Sequence, residues 1–254
     1  MQAEDYESLY ALEESFWWFA GMREITAALL DAVCPPGRAR LILDAGCGTG
    51  GNLAWLERYA GGGDVTGLDL SDDALKFCRR RGHTRLAQAS VTELPCADAS
   101  FDLVTSFDVL GQLPDVGADE QAIGEMRRVL RPGGVAFVRV PAYEWLRSGH
   151  DEALGTARRY TLNALCGQMA RAGFRIRRAT HANSLLLPLA IVRRLALKRL
   201  GLADRGSDVK PLAPRLQWLN GILLAALRRE ARWLRAPHHT LPAGLSAICI
   251  GEKG

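Results

Sequence analysis

Chemistry in this chain concentrates where a short apolar run meets a glycine-rich turn. Leu41-Ile42-Leu43 ends in Asp44, and Gly46-Cys47-Gly48-Thr49-Gly50 follows, with Asn52 leading into a helical pattern. Glycine at alternate positions lets the backbone turn sharply and approach a ligand closely. A dinucleotide fingerprint spaces its glycines G-x-G-x-x-G and turns a helix N-terminus toward a pyrophosphate. Here the spacing is G-x-G-x-G, and a carboxylate at Asp44 repels a pyrophosphate but suits a cationic amino group. Asp69 closes a second apolar run, Val65 to Leu68, where a carboxylate can accept hydrogen bonds from both hydroxyls of a ribose. NAD-binding proteins use the same device, so Asp69 does not by itself separate cofactors, and a turn acid ahead of a helix is the plain alternative.

An ammonium, a sulfonium, a ribose and no phosphate describe S-adenosylmethionine, which is the cofactor these residues predict, with S-adenosylhomocysteine as its product. Around them, strand-like and helix-like segments alternate from about residue 40 to 181. Helical patterns cover Leu53 to Tyr59, a stretch capped by Ser71 and running to Arg80, Asp119 to Leu130, and Leu162 to Ala172. Strand patterns cover Thr84 to Ala87, Phe101 to Ser106, Val135 to Val140, Phe174 to Ala179 and Ser246 to Ile250. Alternation at these lengths predicts βαβ units and a mainly parallel sheet, a Rossmann-like three-layer α/β/α sandwich. The expected organisation is a helical N-terminal cap (1–37), a cofactor-binding core (38–183), a basic helical insertion (184–242) and a final core strand (243–254).

Taken together, Asp44-Ala45-Gly46-Cys47-Gly48-Thr49-Gly50, Gly67-Leu68-Asp69, Leu94-Pro95, Phe101-Asp102-Leu103-Val104 and Arg128 to Gly134 resemble the class I S-adenosylmethionine-dependent methyltransferases, specifically the ubiquinone/menaquinone-type group. The resemblance covers roughly residues 38 to 182 and implies seven strands, the last antiparallel. It places the adenine beside Ser90 and Val91, where relatives usually carry an acid in place of Ser90, and the rest of the cofactor near Leu70 and Phe107. Gly111-Gln112-Leu113 stands where the family often has a histidine, so no base is expected there. The flanks resemble a narrower subgroup through Phe16-Trp17-Trp18-Phe19, Arg23, His150-Asp151 and Arg158-Arg159-Tyr160, whose members resemble enzymes acting on sugars, lipid-linked saccharides or secondary metabolites.

Ligands of open α/β sheets sit beyond the carboxyl ends of the strands, so acceptor-site candidates come from the loops after the fourth and fifth strands and from the cap. Phe107 either touches the ligands or packs at the rim. Tyr143, Trp145 and the pair His150-Asp151 follow the fifth strand, and a histidine beside an acid is a base tuned near neutral pH or a surface-loop residue. Arg158 and Arg159, with Tyr160, either clamp an anionic acceptor group or make structural salt bridges. Trp17 and Trp18 either lid the pocket or pack a helix, and the resemblance pairs Arg23 with the cofactor carboxylate.

Composition narrows the rest. At 48% hydrophobic and 24% charged residues the chain is an ordinary globular protein, and no apolar run reaches the roughly 18–20 residues that span a bilayer. Acids at Glu4 and Asp5 and six dispersed cysteines predict a cytoplasmic protein with free thiols. His238-His239 lacks metal-ligand neighbours, so no metal is expected. Residues 190–235 carry +8 of charge against +4 for the whole chain, which confines attraction for anions to one segment and argues against nucleic acid. Within it Leu216, Leu219, Ile222, Leu223, Ala226, Leu227, Trp233 and Leu234 share a helical face with Glu230, which either pairs with a buried arginine or points into the acceptor cavity. The insertion is expected to act as a lid, with peripheral contact to an anionic membrane as the alternative. The partner is a small-molecule acceptor, methylated on O, N or C; a lipid-linked or quinone-like acceptor and a cofactor-binding protein without methyl transfer are the alternatives. The oligomeric state is left at monomer or homodimer.

Overall fold

The computed structural model describes residues 3–153, 155–192 and 217–254. Two helices open the chain, α1 (Ala3–Leu12) and α2 (Trp17–Leu30). Strands β1 (Leu41–Ala45), β2 (Asp64–Asp69), β3 (Leu86–Gln88), β4 (Phe101–Phe107), β5 (Leu130–Pro141), β6 (Phe174–Ala182) and β7 (Ser246–Lys253) form one sheet in the order β3-β2-β1-β4-β5-β7-β6. Further helices are α3 (Leu53–Ala60), α4 (Asp72–Arg80), α5 (Ala118–Val129), α6 (Gly149–Ala153), α7 (Leu162–Arg171) and α8 (Trp218–Leu234). The first five strands run parallel, and β7 inserts antiparallel between β5 and β6.

Local sequence explains the elements closely. Ser71 accepts the Ala74 N–H as the N-cap of α4, and Thr161 accepts that of Ala164 at the start of α7. The turn Arg131 to Gly134 does not interrupt β5, which begins at Leu130 and absorbs the turn where its register with β4 shifts between Phe101 and Leu103. One face of the sheet buries Leu43, Val104 and Val138 against Ile123 and Met126 of α5 and Leu165 and Met169 of α7. The opposite face buries Ile42, Leu103, Phe137 and Ile248 against Ile25 and Leu29 of α2, Leu56 of α3 and Leu227 and Leu234 of α8.

The inserted helix α8 therefore joins the core and is not only a cover. Its buried stripe is Leu227, Glu230, Ala231 and Leu234, whereas Ile222 and Trp233, expected on the inner face, are more than half exposed. The remainder of the basic segment, 193–216, lies outside the described residues. No described helix is long and apolar enough to cross a membrane. Gly21 of α2 lies against α8, and a Cβ there would lie 2.3 Å from the Leu227 side chain. Replacing Gly21 by leucine should lower stability by about 1–3 kcal/mol through overpacking, read as a reduced denaturant midpoint with an unchanged slope in urea unfolding.

Candidate active site

Between the carboxyl ends of β1, β2, β4 and β5 and the helices α1, α2 and α8 lies a cavity of about 870 Å³. Asp44, Gly46, Cys47, Gly48, Asn52, Asp69, Leu70, Ser90, Val91 and Phe107 all line it, together with Trp17, Trp18 and Arg23 of the cap. Gly50 does not; it turns the loop at φ +83° against Cys78. Gly48 has φ +54°, and a Cβ built on it would meet nothing within 4 Å, so the loop leaves open space on the ligand side.

Asp44 is the electrostatic centre. Its carboxyl is buried, and one oxygen accepts a hydrogen bond of 2.7 Å from Thr105 on β4. Burial pushes its pKa from 3.8 up to about 7; Thr105 and Arg139 oppose the rise, while the neighbouring carboxylates Asp69 and Glu13 add to it. Asp69 is tied by both oxygens, accepting from Gly48 N–H at 2.8 Å and Ser71 N–H at 2.9 Å, and burial still raises it. Glycine loop and second strand are thus fixed to each other through a carboxylate that faces the cavity.

Glu13, Arg139, Asp108 and Asn183 also line the cavity, and none was foreseen from sequence. Glu13, from the turn after α1, accepts from Thr49 and pairs with Arg81 at 3.1 Å, while Arg23 donates to the carbonyls of Gly51 and Glu13. These contacts clamp the loop from above, and burial raises the Glu13 pKa. Arg139 is the one charge in the apolar strand run Val135 to Val140, the signal that could have marked it. Its Nε and Nη2 donate to the Asp108 carboxylate at 2.9 and 2.7 Å, and its guanidinium lies 5.0 Å from the ring centres of both Trp18 and Phe107.

The loops after β5 depart from several expectations. Asp151 and Arg159 line the cavity as a buried ion pair at 2.7 Å, with Arg159 also donating to the Ala142 carbonyl. Arg158 instead reaches the carbonyl of Asp115 at 2.7 Å and the Asp119 carboxylate, and Tyr160 donates to Asp119 at 2.9 Å, so both brace the start of α5 outside the cavity. Tyr143 meets His181 at 2.9 Å and stacks with it and with exposed Trp145; neither aromatic lines the cavity. Among the described residues Glu230 has no arginine partner and does not line the cavity: it accepts the Leu185 N–H at 2.7 Å, with Asn183 and Ser184 N–H groups adjoining, and so caps the segment leaving β6. The His150 side chain lies outside the described residues.

Residues 43–138 match the methyltransferase domain family. The chain is 35% identical over 121 residues to a fatty-acid O-methyltransferase of Mycolicibacterium smegmatis, covering 44% of this chain and 43% of that one. Over 168 residues it is 33% identical to a probable S-adenosylmethionine-dependent methyltransferase of the same organism, covering 65% and 62%. It thus spans less than two thirds of the length of either curated relative. Among solved structures, a putative methyltransferase in complex with the Trm112 methyltransferase activator from Haloferax volcanii superposes with a TM-score of 0.61 at 21% identity, over 98% of this chain and 95% of that one. The shared feature is the fold: a seven-stranded Rossmann-like sheet with flanking helices.

The matched stretch lines the cavity from Asp44 to Pro114, and the helices before and after it supply walls. Asp44 has a testable consequence here. With its folded pKa above the unfolded value, its contribution to ligand-free stability is full below about pH 4 and is lost as pH rises toward 7. Asp44→Asn should therefore melt higher than wild type at pH 8, and the gap should close toward pH 4 in thermal unfolding.

Proposed function

We propose that the chain is an S-adenosylmethionine-dependent methyltransferase that transfers a methyl group to O, N or C of a small-molecule acceptor, of the secondary-metabolite or sugar type. The carrying observation is the pair of cavity-facing carboxylates, Asp44 and Asp69, on adjacent parallel strand ends beneath the open side of Gly48. A buried carboxyl with no cationic hydrogen-bond partner among the described residues suits the cofactor's ammonium, and the neighbouring carboxylate suits its ribose, so the residues fit the group. When bound, S-adenosylmethionine supplies an electrophilic methyl group and leaves as S-adenosylhomocysteine.

The chain's own part is binding, orientation and exclusion of water. Ionised Asp44 holds the amino group, Asp69 takes the ribose hydroxyls, Ser90 and Val91 flank the base, and Arg23 serves the carboxylate. In-line displacement demands an acceptor lone pair behind the methyl carbon, so what matters beyond these residues is alignment and a dry site. Trp17 and Trp18 cover that space from the cap, and Leu186, Leu189 and Leu223 wall it from the insertion, which we propose as the lid. The same apolar wall favours a second reading, a lipid-linked or quinone-like acceptor met at a membrane surface. We place the protein in the cytoplasm.

Calorimetric titration tests the cofactor assignment. S-adenosylmethionine and S-adenosylhomocysteine should bind, NAD should not, and Asp69→Ala should lose about tenfold or more in affinity, in line with removal of hydrogen bonds to a charged group. Affinity should also fall as pH drops below about 7, because Asp44 must ionise to hold an ammonium. Folded protein that binds neither compound would remove this reading.

A further inference from the structure

The floor of the cavity is a row of strand ends, and the strand order gives the row a direction. Asp69 ends β2, Asp44 lies near the end of β1, Phe107 ends β4 with Asp108 after it, and Arg139 sits near the end of β5. Neighbouring strands are about 4.8 Å apart, which puts Arg139 on the order of 10 Å from Asp44, on the side away from Asp69. If ribose and amino group occupy Asp69 and Asp44, as proposed above, Arg139 stands past the cofactor in the direction of the acceptor. Arg23 lies at the opposite end, against Gly51 and Glu13.

Arg139 is also built as a receptor. It is 6% exposed, so its charge is largely withdrawn from water. Asp108 takes only the edge formed by Nε and Nη2, and both bonds end on a single oxygen. Among the described residues Nη1 has no hydrogen-bond partner. Trp18 and Phe107 flank the guanidinium, which holds its plane and keeps competing water away. The cavity it lines has apolar walls from Trp17 and Met22 on α2, Leu186 and Leu189 after β6, and Leu223 on α8, beside the polar Gln112 and Asn183 and the paired Asp151 and Arg159. A buried cation with a free edge under an apolar wall is complementary to one kind of molecule, an apolar chain ending in an oxygen acid.

Resting on the methyltransferase reading, we infer that Arg139 anchors the acceptor through a carboxylate, so that the acceptor is an apolar-chain carboxylic acid. Asp108 competes for the same guanidinium and sets how tightly the acid is held. Asp108 has φ +63°, a conformation that asparagine also tolerates, so Asp108→Asn removes the competing charge without straining the turn.

The test uses the complex of the protein with S-adenosylhomocysteine and follows quenching of tryptophan fluorescence. Saturated acids from octanoate to hexadecanoate are titrated beside the matching primary alcohols. The best acid should bind about tenfold or more tightly than its alcohol, Arg139→Gln should erase that preference, and Asp108→Asn should enlarge it. Arg139→Lys, which keeps the charge, should retain part of it. Affinity for S-adenosylhomocysteine should stay within about threefold in all variants, which also shows that they fold. Equal binding of acids and alcohols, binding of neither, or loss of S-adenosylhomocysteine in parallel with Arg139→Gln would overturn the inference. Binding of S-adenosylhomocysteine to wild type is scored separately, so the cofactor reading survives or fails on its own.

Discussion

Everything in this molecule depends on the reversal of strand order at β1. β2 lies to one side of it and β4 to the other, so the connections leaving β1 and β4 part in opposite directions and open a crevice over the carboxyl ends of the sheet. A crevice there exposes strand-end side chains that would otherwise be buried by a crossing loop. Asp44 sits at that opening, and its burial is tolerable because Thr105, its direct register partner on β4, donates to it. The cost of keeping a carboxyl there is visible in its raised pKa, and a cationic ligand removes it.

A floor of this kind needs a roof, and the roof comes from segments remote in sequence. Glu13 and Arg23 reach the glycine loop from the N-terminal helices, and Arg81 joins them from the far end of α4. The loop is thus held between β2, through Asp69 and Gly48, and the cap, through Glu13 and Thr49. Trp18 is carried by the same helix as Arg23, so one element covers both the loop and Arg139.

What was legible in the sequence follows the range of the interactions. The glycine loop, Asp44 and Asp69 announce themselves because backbone conformation and a strand-ending acid are local properties, and all but Gly50 of that loop's expected contacts line the cavity. The order of elements was legible for the same reason, since periodicity and caps are local. The contacts of Tyr160, Arg158 and Tyr143 were not legible because their partners, Asp119, Asp115 and His181, lie 38 residues or more away and carry no mark in the sequence. Glu230 was correctly placed on the apolar face of its helix, but a buried carboxylate that accepts backbone N–H groups looks the same from sequence as one awaiting an arginine. Arg139 was passed over because a strand pattern tolerates one charge, and only the sheet shows that this charge faces the crevice.

The pairing of β6 with β7 has one further consequence. Ala182 lies opposite Ser246, so the residues between them leave the sheet and return to it at a single point. Closing such a loop costs only slowly more as it lengthens. A change in the length of that segment therefore leaves the hydrogen bonding between β6 and β7, and the strand ends on the far side of the sheet, as they are.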